Sequence, residues 1–251
     1  MAAVEKVGLD AFRRRLVAGS FPAYPDLRTA LAGLRFVQAD PIRSPARAQD
    51  LILRQRVAAY AAGDLERCFP DLELEEGYLF AYGFMGLELW RSVLRPRGSL
   101  SALERDVLAA VSERGEAHPR DLDERFGEAL ARNDWGGRSK ATKRILEDLH
   151  EAGLLRVSRR EKGVRVYQAP LVAQGGDRSA EERYRHLLMN TASVFGPTTV
   201  TFLMSEMGYH RRLLPTRRER LQAVNGLLES GQLQAFEVEG VRYVWIREEW
   251  Q

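Results

Sequence analysis

Gln38 and Asp40 are the side chains of this sequence whose types and spacing best suit chemistry. Only Ala39 separates them, so an extended backbone points an amide and a carboxylate to the same face. An ionised carboxylate can accept a proton from water or stabilise developing positive charge, and an amide can orient the water or the substrate. The pair also has a structural use. Asp before Pro41 is a common turn, its carboxylate can cap a backbone N–H, and the amide can satisfy a buried carbonyl. Residue type alone leaves both uses open.

The elements that must position the pair can be read on either side of it. Phe36-Val37 starts an apolar, strand-like run, and Pro41 stops any ladder. Ser44-Pro45 predicts an N-cap followed by proline at the first helical position, with a helix from Pro45 to about Tyr60 carrying Arg47, Arg54 and Arg56. Before the pair, Leu9, Phe12, Leu16 and Val17 have helical spacing, and a second helix is expected from Asp26 to Gly33. After it, Tyr78, Phe80, Tyr82, Phe84 and Trp90 crowd one apolar run, which reads as core before it reads as a base-stacking platform.

Composition narrows the function classes. The 251 residues suffice for one large domain or two to three small ones, at roughly 100 to 200 residues per domain. No run approaches the roughly 18 apolar residues of a membrane helix, and the acidic, unpatterned N-terminus is no secretory signal, so a cytoplasmic chain is expected. Cys68 stands alone, and His118, His150, His186 and His210 are scattered without ligand spacing, so neither a metal nor another cofactor is expected. The net charge is +3 and the isoelectric point about 9.1, mostly through arginine, whose planar fork suits phosphate.

From Arg95 onward the order repeats. Arg95 to Ser99 reads as a linker, and Ser101 with Glu104 forms a capping-box pattern. Three helices and a hairpin (Leu154 to Ser158, Val164 to Gln168) follow, then a second linker at Gln174 to Asp177, more helices and a second hairpin (Leu233 to Val238, Val241 to Ile246). Leu149-His-Glu-Ala-Gly153 matches Leu227-Leu-Glu-Ser-Gly231 at an offset of 78, and Gly163-Val-Arg165 matches Gly240-Val-Arg242 at 77, a difference of one loop residue. The expected fold is therefore mainly α with small β-hairpin wings, in tandem winged-helix units. They comprise 1–97 with the Gln38/Asp40 motif, 98–173, and 174–251. A winged helix places its third helix in the major groove and its hairpin along the backbone. Arg138, Lys140 and Lys143 on one helix, Arg159 and Arg160 on a wing and Arg217 on the last helix fit phosphate contacts. The bland alternative is that these cations solvate helix faces.

Gln38-Ala39-Asp40, Ile42, Ala46-Arg47-Ala48, Leu53 and Arg56 resemble the signature of the YcaQ/AlkZ-like family of bacterial DNA glycosylases. Trp135-Gly136-Gly137 with Lys140, and Leu146 to Tyr167, extend the similarity over roughly residues 9 to 170. The resemblance implies winged-helix architecture and hydrolysis of the N-glycosidic bond of N7-alkylated purines in double-stranded DNA, including interstrand crosslinks. It also implies Asp40 and Gln38 as catalytic residues, Arg47 as a phosphate clamp and no cofactor. No lysine lies beside the pair, which points to a monofunctional enzyme. Longer members continue into a β-rich domain, which a chain ending at Gln251 is expected to lack. Where members carry a histidine after the motif helix, this chain has Ala81-Tyr82-Gly83-Phe84-Met85, and Pro41 replaces a more usual Ser or Thr. The alternatives are a winged-helix transcription regulator without catalysis and a protein-interaction module.

Overall fold

Prolines, glycines and capping side chains cut the chain into short elements. The computed structural model describes residues 5–40, 42, 44–126, 130–132, 138–170 and 178–246. In order these form β1 (Glu5–Lys6), α1 (Leu9–Ser20), α2 (Leu27–Leu34), β2 (Phe36–Gln38), α3 (Ala48–Arg54), α4 (Asp64–Cys68), β3 (Leu74–Tyr78), β4 (Tyr82–Gly86) and α5 (Leu87–Val93). There follow α6 (Ala102–Arg114), β5 (Glu116–Ala117), α7 (Pro119–Phe126), β6 (Leu130–Arg132), β7 (Arg138–Lys140), α8 (Ala141–Glu151), β8 (Arg156–Glu161) and β9 (Val164–Gln168). The last elements are α9 (Ala180–Phe195), α10 (Val200–Glu206), α11 (Arg217–Glu229), β10 (Leu233–Val238) and β11 (Val241–Ile246). No described helix is long and apolar enough to cross a membrane.

The chain divides into two units: Met1–Ala62, Gly77–Val93 and Asp177–Gln251 form the first, Gly63–Glu76 and Leu94–Gly176 the second. In the first, β10 and β11 pair antiparallel and β1 adds in parallel, Glu5 opposite Phe236. Their inner face packs Phe12 of α1 against Phe236, Val238 and Trp245. Also in this unit, β2 pairs antiparallel with β4, Gln38 opposite Gly83. A Cβ on Gly83 would lie 2.4 Å from Cζ of Phe36 and 2.5 Å from the carbonyl oxygen of Val37, so this pairing requires glycine. In the second unit β8 and β9 form a hairpin that β5 extends, in the order β5-β9-β8, over the buried Val107, Leu122, Leu146 and Leu149. Helix α6 starts in the capping box read from sequence, where the N–H and hydroxyl of Ser101 hold the Glu104 carboxyl below its usual range.

Two carboxyl side chains of the second unit lie in its interior. Glu75 and Glu76 are both 0% exposed. Glu75 meets the guanidinium of Arg156 and Nε2 of His150 at 3.2 Å; Glu76 takes two bonds from Arg160, at 2.6 and 2.5 Å, and one from Arg165 at 2.9 Å. A carboxylate so buried is tolerated because these cations match it.

Three expectations need correction. Helix accounts for 51% of the described residues and strand for 20%, so the fold is mixed α/β and not mainly α. Both expected hairpins are present, and each is extended to a three-stranded sheet, by β1 or by β5. Strands of two residues carry no periodic signal, and Gly83, Phe84 and Met85 of β4 are buried in succession, which erases the alternation of a half-exposed strand. The helix expected from Pro45 to Tyr60 covers only Ala48–Arg54, with Arg47 as its N-cap. Past it the chain runs beside Tyr24, whose N–H bonds the Arg56 carbonyl at 2.7 Å. The extra residue between the repeats is no loop residue. Both hairpins turn through two residues of positive φ, Lys162-Gly163 and Glu239-Gly240, the geometry of a type I′ turn. The insertion is a β-bulge at Ser158, where pairing steps from Val157 opposite Tyr167 to Arg159 opposite Val166.

Two substitutions test these constraints. Gly83→Ala should destabilise the protein by about 1 to 3 kcal/mol in denaturant titration, because the methyl group must displace backbone as well as a ring. Glu76→Gln should cost about 3 kcal/mol by removing the buried carboxylate that Arg160 and Arg165 share.

Candidate active site

The Gln38/Asp40 pair sits where a sheet ends. Strand β2 enters through buried Phe36 and Val37, and Gln38, its last residue, is exposed. The final ladder bond runs from the Ala39 N–H to the Tyr82 carbonyl at 2.9 Å. Asp40, half-buried, lies just beyond it. Its Oδ1 accepts the Ile42 N–H at 2.8 Å, the turn bond anticipated from an Asp before proline. Asp40 makes no other side-chain bond among the described residues, so Oδ2 keeps its lone pairs. The Gln38 amide has no partner among them either, which removes the buried carbonyl that a purely structural role would supply. Pro41 lies outside the described residues.

Behind the pair, the start of α3 is polar and buried. Gln49 accepts the backbone N–H of Asp40 at 3.1 Å, and Asp50 accepts the Tyr60 hydroxyl at 2.8 Å. Asp50 also lies 3.6 Å from Nε of Arg47, whose side chain is only 19% exposed. Gln49, Asp50 and Tyr60 were missed in the sequence. Gln49 had a legible signal, since it stands four residues before Leu53 and so on the apolar face of its helix.

The cations proposed from sequence separate by environment. Arg54 and Lys143 are exposed, as is Arg217 in the first turn of α11. Arg56 holds the backbone together instead. Its guanidinium bonds the carbonyls of Ile52 and Ser20 at 2.9 and 2.7 Å and lies 5.1 Å from the Phe21 ring centroid. Arg160 is engaged by Glu76, and Arg159 lies 3.3 Å from Glu116 and 3.2 Å from Glu161, the latter contact raising its pKa most. Arg138 and Lys140 contribute backbone to β7, opposite Arg132 and Leu130; their side chains and Trp135-Gly136-Gly137 lie outside the described residues.

The aromatic run divides as well. Phe84 and Trp90 are core, while Tyr78 is exposed and packs on Tyr209 at 4.1 Å between centroids. The histidines have internal partners: His210 donates to the Leu79 carbonyl at 2.7 Å, His186 lies 2.8 Å from the Ser92 hydroxyl with burial pushing its pKa down, and His118 accepts the Arg120 N–H at 3.1 Å. Among the described residues no cluster of His, Cys, Asp or Glu is placed to hold a metal ion.

Searches of curated proteins and of solved structures returned nothing. The profile of the AlkZ-like DNA glycosylases matches residues 31–250, which takes in β2, the polar pair, α3 and every later element. With most of the chain spanned, including an amide and a carboxylate presented at a sheet end, the protein belongs to the AlkZ-like DNA glycosylase family.

Proposed function

We propose that this DNA glycosylase hydrolyses the N-glycosidic bond of N7-alkylated purines in double-stranded DNA, with Asp40 and Gln38 as its catalytic residues. A purine alkylated at N7 is cationic and leaves readily, so the enzyme must chiefly stabilise an oxocarbenium-like sugar and place a water at C1′. The observation that carries the reading is the state of Asp40, with one oxygen tied to the Ile42 N–H and the other unbonded among the described residues, next to an exposed amide. The tied oxygen fixes the carboxylate plane, and the second can accept the proton of water as its oxygen bonds to C1′. The C1′–N9 bond breaks and its electron pair neutralises the departing base. Gln38 orients the water or the sugar. No lysine occurs between Tyr24 and Tyr60 to form a Schiff base, so the reaction stops at an abasic site. Interstrand crosslinks joined through purine N7 would be opened by the same step.

The helix and hairpin segments at 98–173 and 174–251, with 1–97 before them, are read as winged-helix modules that hold the duplex. Support comes from the matching type I′ turns and helix order of the last two. Arg54, Lys143 and Arg217 are the exposed cations for phosphate. Arg47, with its guanidinium beside Asp50, braces α3.

Base release from a duplex containing N7-methylguanine, followed as abasic sites, tests the reaction. Asp40→Asn should lower the rate by about 10²-fold or more and Gln38→Ala by roughly 10-fold, both with duplex affinity retained. A wild-type protein that releases no base, or variants that match it, would sink the reading; a sharp sequence preference in binding without release would favour a transcription regulator. In a second measurement, Arg217→Ala should flatten the salt dependence of duplex affinity by about one counterion. Arg160→Ala should instead lower the melting temperature and leave that slope nearly unchanged, since its charge already answers Glu76.

A further inference from the structure

Ala39 gives its N–H to the Tyr82 carbonyl of β4, so the N–H of Asp40, next along the chain, points away from β4. That N–H reaches Oε1 of Gln49, 3.1 Å away, in the first turn of α3. Gln49 is 4% exposed and shares a helix face with Leu53, which is fully buried. Only an oxygen can accept an N–H, so the orientation of the amide is dictated by the bond. Among the described residues it is the single hydrogen bond of the Gln49 side chain. An amide buried on an apolar helix face for one bond is a poor choice for stability alone, because a leucine or methionine there would fill the space without desolvating a polar group.

We infer that Gln49 is a positioning residue for the reaction. It takes over from the sheet at the point where the sheet ends and fixes the backbone of Asp40, as the Ile42 N–H fixes the turn of the carboxylate. Together the two bonds set where the free oxygen stands relative to the attacking water. The inference rests on Asp40 being the hydrolytic carboxylate. A displacement of about 1 Å at such a group costs on the order of 10²-fold in rate.

The test compares Gln49→Ala and Gln49→Glu with wild type and Asp40→Asn on a duplex containing N7-methylguanine, with single-turnover rates measured across pH and duplex affinity measured separately. Gln49→Ala should lose about 10- to 100-fold in rate with affinity within threefold of wild type. Gln49→Glu keeps an acceptor for the Asp40 N–H, so at pH 8 it should recover most of the rate. Its added negative charge should move the acidic limb of the rate profile to higher pH by about half a unit or more. The other ionisable groups on elements packed against β2, Arg28 and Arg35 of α2 and its cap, Arg47, Asp50 and Arg54 at α3 and Tyr82 of β4, are the same in every variant. If Gln49→Ala proves unable to fold, the Gln49→Glu profile decides alone. A Gln49→Ala rate within twofold of wild type, or a Gln49→Glu profile superimposed on wild type, overturns the inference while a slow Asp40→Asn leaves the glycosylase reading standing. An Asp40→Asn enzyme as fast as wild type overturns both.

Discussion

A charge withdrawn from water must be matched by another, and this constraint shapes much of the protein. Glu75 and Glu76 are wholly buried, and their carboxylates draw Arg156, Arg160, Arg165 and His150 inward. Asp50, buried in the other unit, draws Arg47 and the hydroxyl of Tyr60. Desolvating these groups is costly by itself, and the return comes only through specific pairing, so each pair locks a strand or helix start into one place. The wing arginines are accordingly divided in function. Their number in the sequence suggests a phosphate-binding hairpin, whereas Arg156, Arg160 and Arg165 on β8 and β9 serve the interior of their own unit.

The same accounting of polar groups applies to the backbone at the candidate active site. A sheet satisfies the N–H groups that point at a neighbouring strand, and β2, an edge strand of three residues, has a partner on one side only. At its end the chain must turn, and the Asp40 N–H and carboxylate are each met by a group outside the ladder, Gln49 and the Ile42 N–H. What results is a carboxylate held at its root and at one oxygen yet open at the other. In the proposed reaction a carboxylate so held would need little reorganisation as charge develops on the sugar. Gly83 belongs to the same arrangement, since the absence of a side chain lets the Phe36 ring and the β2 backbone close onto β4.

The two hairpins show how a repeated sequence tolerates a local change. Each uses a glycine at the second turn position and a residue at φ near +50° before it, Lys162 and Glu239. This matches the right-handed twist of the flanking strands. One hairpin holds an extra residue, and the bulge at Ser158 absorbs it without disturbing the register on either side. Beyond the bulge, Arg159 stands opposite Val166 as Phe236 stands opposite Tyr243.

Much of this was legible in the sequence because it depends on short-range order. The helix capped by Ser101 and Glu104 and the strands Val164–Gln168, Leu233–Val238 and Val241–Ile246 follow from caps, turns and spacing within a few residues. The pattern around Gln38 was enough to indicate the family. Tertiary structure alone decided the rest. Strands β1 and β5 exist only because a hairpin edge accepts them, and two residues carry no period by which to be recognised. Helix α3 ends early because the chain leaves it to run beside Tyr24. Which arginines face water and which answer a buried carboxylate is settled by partners as distant in sequence as Glu76 and Arg160, 84 residues apart. The residue that holds Asp40 was likewise hidden, because Gln49 is an ordinary polar residue until a strand ends against it.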